Sequence, residues 1–284
     1  MAKSQSGKCR LCGEVRPLTR EHIPPEGVYK GRPYAVEVLS GDAVLEGGHG
    51  KPFQRGFHAR VFCATCNSLT GSWYGGEFTK WSQWGFLLLE ASQARSSKPI
   101  DAYEGYPLRI AKQVISTMIA SSQEGFTDRH PEFRNFVLTR ELTAGPAAFR
   151  LSTYLCPTRT GRSTGVAVAM KVGAVDHVLV EFALPPFGYV LTLEGEPFDT
   201  RPTDISWFTT CGYNDLQKIL LPEIHTLPTH EPFPGDYRSK LEIRQDVITN
   251  ILTEQHHAAP AAEAARIVAA DEGPAFFAAH GEEW

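Results

Sequence analysis

The chain has 284 residues and a mass of 31.4 kDa, with 42% apolar and 21% charged residues. That composition excludes a wholly disordered chain and allows a sizeable core in one large domain or two modest ones. A formal net charge of -4 and a pI near 6.2 exclude a strongly basic, histone-like nucleic-acid binder. The average hides a split: residues 1–80 hold 11 Lys/Arg and 7 Asp/Glu, net +4, so residues 81–284 hold 17 and 25, net -8.

In chain order, residues 1–8 read as a loose tail, and MAKSQSGKCR carries no apolar signal region. Apolar runs such as 86–89 (FLLL) and 166–170 (VAVAM) are far shorter than the roughly 20 residues of a membrane span. A cytoplasmic protein without a membrane partner is expected, in a compartment where thiols stay reduced. The six cysteines could pair as three disulfides, but four of them form two Cys-x-x-Cys pairs, Cys9/Cys12 and Cys63/Cys66. Two matched pairs point to a four-cysteine structural zinc site more than to a redox motif. The 50 residues from 13 to 62 between the pairs exceed an ordinary zinc-ribbon interval, so the site encloses an inserted segment. Cys156 and Cys211 sit in strand-like runs and read as small core residues.

Residues 9–80 are rich in Gly and Pro, as a metal-stapled module should be, and 40–56 reads as a loop. A helix is expected from about Cys66, starting late or kinked because Gly75-Gly76 weakens it. Its aromatic residues Trp73, Tyr74, Phe78, Trp81, Trp84 and Phe86 could stack on bases, but their helical spacing favours core. Glu77 reads as a solvated helix charge. Residues 107–122 form a helix whose Leu108, Ala111, Ile115, Met118 and Ile119 share a face. A short helix follows over 130–140, with Pro131 in its first turn. Runs at 149–154, 165–172, 177–184, 189–193 and 205–210 are strand-like and bounded by turn residues, giving a small antiparallel sheet over 145–212. Residues 214–257 mix a short helix with Pro-rich loops. The expected class is α+β, with a zinc-stapled module over 1–80, a mixed α+β domain over 81–257 and an Ala-rich tail over 258–284.

The chemistry-bearing stretch lies between and beside the cysteine pairs: Glu21-His22-Ile23-Pro24-Pro25, then Cys63-Ala64-Thr65-Cys66-Asn67. With Cys9-Arg10-Leu11-Cys12 in front, this ordered set resembles the HNH nuclease family in its zinc-stapled form, over about residues 9–80. The resemblance implies a ββα-metal fold and metal-dependent hydrolysis of phosphodiester bonds. It implies His22 as general base, and Glu21 and Asn67 as ligands of a divalent cation such as Mg2+ or Mn2+, separate from the zinc on Cys9, Cys12, Cys63 and Cys66. His58 stands where the family usually has its middle Asn, so the ending is HNN-like. The basic residue often found after the last ligand is replaced by Ser68, Leu69 and Thr70, and Arg20, Arg55 or Arg60 could supply that charge.

Physical chemistry agrees with such a division of ligands, since oxygen and imidazole donors suit a hard ion and thiolates suit zinc. A neutral imidazole can take a proton from water near pH 7. Adjacent strand residues point to opposite faces, so Glu21 and His22 can meet one point only across a bulge or at a strand end. His49 reads as a loop histidine and His256-His257 as a solvated pair. DNA is the expected substrate, with RNA open, because nothing in the sequence reads a 2′-hydroxyl. A zinc-stapled module that binds nucleic acid or protein without cutting is the alternative. Residues 81–284 would position substrate or hold a second copy or a regulatory protein. The resemblance also points to prokaryotic antiphage defence or mobile elements.

Overall fold

The computed structural model describes residues 6–30, 35–38, 51–54, 57–94, 102–145, 149–157, 160–169, 177–194, 196–227, 237, 242 and 245. The expectations for 1–5, 40–50, Arg55, His49, His256-His257 and the tail 258–284 lie outside them. In chain order the elements are β1 (Ser6–Lys8), β2 (Val15–Ile23), a 3-10 turn (Glu26–Tyr29), β3 (Ala35–Val38), β4 (Lys51–Gln54), β5 (Phe57–Cys63) and α1 (Ala64–Thr70). A π-helical turn (Gly71–Gly75), α2 (Gly76–Gln93), β6 (Tyr103–Gly105), α3 (Pro107–Ser121), α4 (Phe126–Arg129) and α5 (Pro131–Leu138) follow. The chain continues through β7 (Arg150–Leu155), β8 (Thr160–Ala169), β9 (His177–Leu184), β10 (Phe187–Glu194), β11 (Thr203–Asp204), a 3-10 helix (Ser206–Thr210) and β12 (Gln217–Ile219). The class is mixed α+β.

Three sheets result: β1-β2-β5, the seven-stranded β11-β7-β10-β9-β8-β3-β4, and the ribbon β12-β6. The expected antiparallel sheet is present but larger. Strands β3 and β4, from between the cysteine pairs, extend it through one parallel pairing, Glu37↔Thr160 and Val38↔Gly161. Residues 51–54 are therefore a strand where a loop was expected. Residues 6–8 are likewise not tail but pair with 15–17 of β2.

Helix α1 starts at Ala64 and continues through the Gly75-Gly76 pair as one helical run with a π turn inside it. One extra residue in that turn rephases the helix by about 100°. Tyr74, Phe78, Trp81 and Phe86 are all buried, with Trp73 and Trp84 packed against the core beside them. Trp81 stacks on Phe187 at 5.0 Å and 18° and donates Nε1–H to the Tyr189 hydroxyl at 2.9 Å. Gly85 faces Phe187 so closely that a Cβ would lie 2.2 Å from the ring. The aromatic row is core, as its spacing predicts.

Helix α3 is buried almost all round, including Leu108, Ala111, Ile115, Met118 and Ile119 at 0% exposure. Lys112 on the same helix is also fully buried, its ammonium donating to the carbonyls of Phe136, Thr139 and Arg140 at 2.8, 2.6 and 3.1 Å. It thereby satisfies carbonyls at the end of α5 that have no helical partner. The buried apolar residues from Cys9 to Ile219 form one contiguous cluster. A second cluster, including Tyr154, Leu179, Val190, Phe198 and Tyr237, covers the other face of the large sheet.

Three expectations are corrected. Residues 205–210 are not a strand: Asp204 Oδ1 accepts the Ser206 N–H at 2.7 Å and starts a 3-10 helix instead. Cys156 is a buried core residue, but Cys211 is half-exposed and follows that 3-10 helix. Glu77 is not solvated: its Oε1 accepts from Tyr103 Oη at 2.6 Å and the Tyr106 N–H at 3.1 Å, tying α2 to the β6 segment. Glu242 and Gln245 are helical within the 214–257 stretch.

Because Trp81 joins α2 to the large sheet, Trp81→Ala should lower unfolding free energy by about 3–5 kcal/mol in urea titration. A loss below about 1 kcal/mol would mean that the sheet and helix do not share this core.

Candidate metal centre and the adjoining ribbon

The first knuckle forms because Gly13 adopts φ +80 and its N–H returns to the Cys9 carbonyl at 2.8 Å. The second straddles a strand end and a helix start: Cys63 closes β5, and Cys66 lies in the first turn of α1. The Arg10 N–H bonds the Val61 carbonyl at 2.9 Å, and the Cys63 N–H donates to Cys9 Sγ at 3.3 Å. The four sulfurs lie within 4.8 Å of one another, with Cys12 and Cys63 Sγ at 4.0 Å. Four thiolates around one zinc would sit about 3.8 Å apart, from Zn–S bonds of about 2.3 Å. These side chains can therefore hold a metal ion such as zinc. The hydrogen bond from Cys66 draws the Cys9 thiol down to about 4, and that bond and burial push Cys66 up. Burial raises Cys12.

The knuckle is gripped by the helices. Arg10 Nη1 donates to the carbonyls of Ala120 and Ser122 at the end of α3, at 2.9 and 2.6 Å. Thr127 Oγ1 donates to the Arg10 carbonyl at 2.7 Å and Arg134 Nε to the Leu11 carbonyl at 3.0 Å. Asp128 receives both Lys8 and Arg134. No sequence signal marked Arg10, Thr127 or Arg134, whose partners lie more than 100 residues away.

Strands β2 and β5 run antiparallel in front of α1. The register shifts between Thr19↔Phe62 and Arg20↔Arg60, so Val61 is an extra residue on β5. A bulge exists, but it precedes the Glu-His pair. From Arg20 onward pairing is regular: Glu21↔Ala59, His22↔His58, Ile23↔Phe57. Alternation then sends Glu21 and His22 to opposite faces. Glu21 is buried at 7% exposure, His22 is half-exposed and His58 exposed. Rings of His22 and His58 are 5.8 Å apart, tilted by 44°. Asn67, half-buried on α1, donates Nδ2–H to Thr19 Oγ1 at 3.1 Å and to the Arg20 carbonyl at 2.8 Å. It straps the helix to β2 beside Glu21.

The ribbon thus brings His22 and His58 together and puts Asn67 next to the backbone of Glu21. It does not bring Glu21, His22 and His58 together around one point. Among the described residues, the four cysteines are the one group of three or more His, Cys, Asp or Glu side chains close enough to share an ion. Glu21 Oε2 is buried with no hydrogen-bond partner among the described residues. Burial raises its carboxyl to about 7, while on the other face His58 is lowered by partial desolvation and by the charges of Arg20 and His22. A buried oxygen lacking a donor suits a cation better than it suits solvent-free isolation.

No protein-family model matches the chain, and comparisons with curated proteins and with solved structures give no match. No helix among the described residues is long and apolar enough to cross a membrane.

Metal analysis of purified protein should find one tightly held ion per chain, and strong chelation should melt α3–α5 together with the knuckles, read by circular dichroism. Metal-free protein with an unchanged melting curve would refute a structural site. Glu21 gives a pH test. Its folded pKa is raised, so the protein loses stability as pH climbs from about 4.5 to 7, and the loss is complete above that. Glu21→Gln should therefore stabilise the protein by up to about 3 kcal/mol at pH 8 and by little at pH 4.5, without added divalent ion. Equal effects at both pH values would show that the carboxylate is not buried uncompensated.

Proposed function

We propose that the chain is a metal-dependent endonuclease of the HNH type, hydrolysing phosphodiester bonds in DNA, with structural zinc on the four cysteines. The observation that carries the reading is the buried, unpartnered Oε2 of Glu21, one residue from His22 and beside the Asn67 strap. Support comes also from the ordered motif set and from the β2–β5 pair leading into α1. Glu21 and the Asn67 Oδ1 are the donors that would hold a divalent cation such as Mg2+ or Mn2+, which when bound would neutralise charge on the phosphate and the leaving oxygen. His22, half-exposed at the ribbon surface, accepts the proton of the attacking water. Glu21 must be ionised to serve, so cation binding falls about tenfold per pH unit below about 7. A prokaryotic defence or mobile-element setting goes with this reading.

The opposite orientation of Glu21 and His22 favours a second reading, a zinc-stapled module that binds nucleic acid without cutting it. Supercoiled DNA and single-stranded RNA, each incubated with Mg2+, Mn2+ or Ni2+, separate the two. The nuclease reading expects divalent-dependent nicking of DNA that His22→Ala lowers by about 10²–10⁴-fold. Equal cleavage by mutant and wild type sinks the role of His22. Cleavage of RNA alone makes the chain a ribonuclease, and no cleavage of either leaves the binding module.

A further inference from the structure

The outer face of the β2–β5 ribbon carries two cross-strand pairs of like residues, one of arginines and one of histidines. Arg20 stands directly opposite Arg60, and His22 directly opposite His58. Residues directly opposite on an antiparallel pair have Cβ atoms about 5 Å apart, and like charges there are destabilising. Positions 20 and 22, and 58 and 60, share a face because strand side chains alternate. The acid between them, Glu21, points to the other face and is buried. Arg20 and His58 are exposed, Arg60 and His22 half-exposed. Among the described residues, no carboxylate forms an ion pair with Arg20 or Arg60. Arg20's guanidinium hydrogen-bonds to no described residue, and Arg60 spends Nη1 on the Leu18 carbonyl at 3.2 Å, leaving its other N–H groups.

Two arginines directly opposite one another, with no carboxylate paired to them among the described residues, repel each other, and an oxyanion between them would relieve that repulsion. The two pairs lie about 7 Å apart along the strands, compact enough for one group to touch both.

We propose that Arg20 and Arg60 clasp a phosphodiester group of DNA on the outer face of the ribbon, with His22 and His58 lining its other side. The two arginines are positioning residues and supply the positive charge that Ser68, Leu69 and Thr70 do not. The cationic face stands by itself, whereas DNA as the source of the phosphate rests on the functional reading above.

Binding, not cleavage, tests this, so a chain that binds without cutting would fail the nuclease reading and keep the clasp. A fluorescent duplex 20-mer is titrated with full-length protein, with no added divalent ion, at several salt concentrations. Arg20→Gln and Arg60→Ala should each weaken binding about tenfold, and the double variant should lower the salt slope by about two. Lys218→Ala, which removes an exposed charge from β12, should leave binding unchanged. Thermal melting checks that the variants fold. If Arg60→Ala does not fold, Arg20→Gln decides alone, because that side chain supports no described contact. Wild-type affinity and slope in the folded variants would overturn the clasp. Inorganic phosphate and a single-stranded RNA of equal length are the other arms. Weakened phosphate competition or RNA binding in the variants, with duplex binding intact, would overturn the assignment to DNA.

Discussion

Four sulfur atoms from two segments separated by 50 residues converge within 4.8 Å of one another in the N-terminal part of this fold. Closing a loop of that length costs about 3–4 kcal/mol in chain entropy. Apparent metal-binding energies for structural zinc are about 10–16 kcal/mol, several times larger, so an ion on the four thiolates readily offsets the closure. Everything nearby depends on it. β5 ends in Cys63, α1 begins at the next residue, and the first knuckle is hydrogen-bonded to β5 through Arg10 and Val61. The sulfurs therefore fix the angle at which the strand turns into the helix, and with it the position of Asn67 over β2.

The bulge at Val61 sets the ribbon's chemistry. With pairing regular beyond it, acid and base divide between faces: Glu21 inward, His22 outward with Arg20, Arg60 and His58. A buried carboxylate and an exposed cationic face separated by one strand thickness attract ions of opposite sign. Among the described residues, Glu21 Oε2 has no donor and the two arginines have no acid. Such paired costs are found where a ligand supplies the missing charge, and they seldom persist for stability alone.

Much of the fold was legible where the signal was periodic. The α3 stripe and the aromatic row of α2 follow helical spacing, and 177–184 is a strand over the expected residues because Val, Leu and Phe dominate it between turns, with Glu181 the one charge. The Cys-x-x-Cys pairs pointed to the cluster of four cysteines, since ligand spacing is local. What sequence missed depended on partners far away. β1 and β4 are short and polar, and become strands only because β2 and β3 present free edges. ISWFTT has strand composition, yet Asp204 captures the Ser206 N–H and turns it helical. Glu77 looks like any surface carboxylate until the β6 segment brings Tyr103 and Tyr106 to it. For the candidate site, the residues were readable but their facing was not, because it depends on whether and on which side of the Glu-His pair a bulge falls, which no residue type marks.

The charge split takes on a structural meaning once the knuckle's contacts are known. The basic segment does not simply sit beside the acidic one. Arg10 reaches the carbonyl end of α3, where the helix dipole favours a cation, and Lys8 reaches Asp128. In return Thr127 and Arg134 donate to the knuckle's own carbonyls at Arg10 and Leu11. Donors and acceptors run in both directions across the boundary, so neither side satisfies its polar groups alone. The knuckle's carbonyls at Arg10 and Leu11 find their donors on α4 and α5, and the carbonyl end of α3 finds its donor on the knuckle. An ion seated on the four thiolates would therefore be coupled to the packing of α3–α5, and the β2–β5 ribbon, bonded to the knuckle through Arg10 and Val61, would share in both.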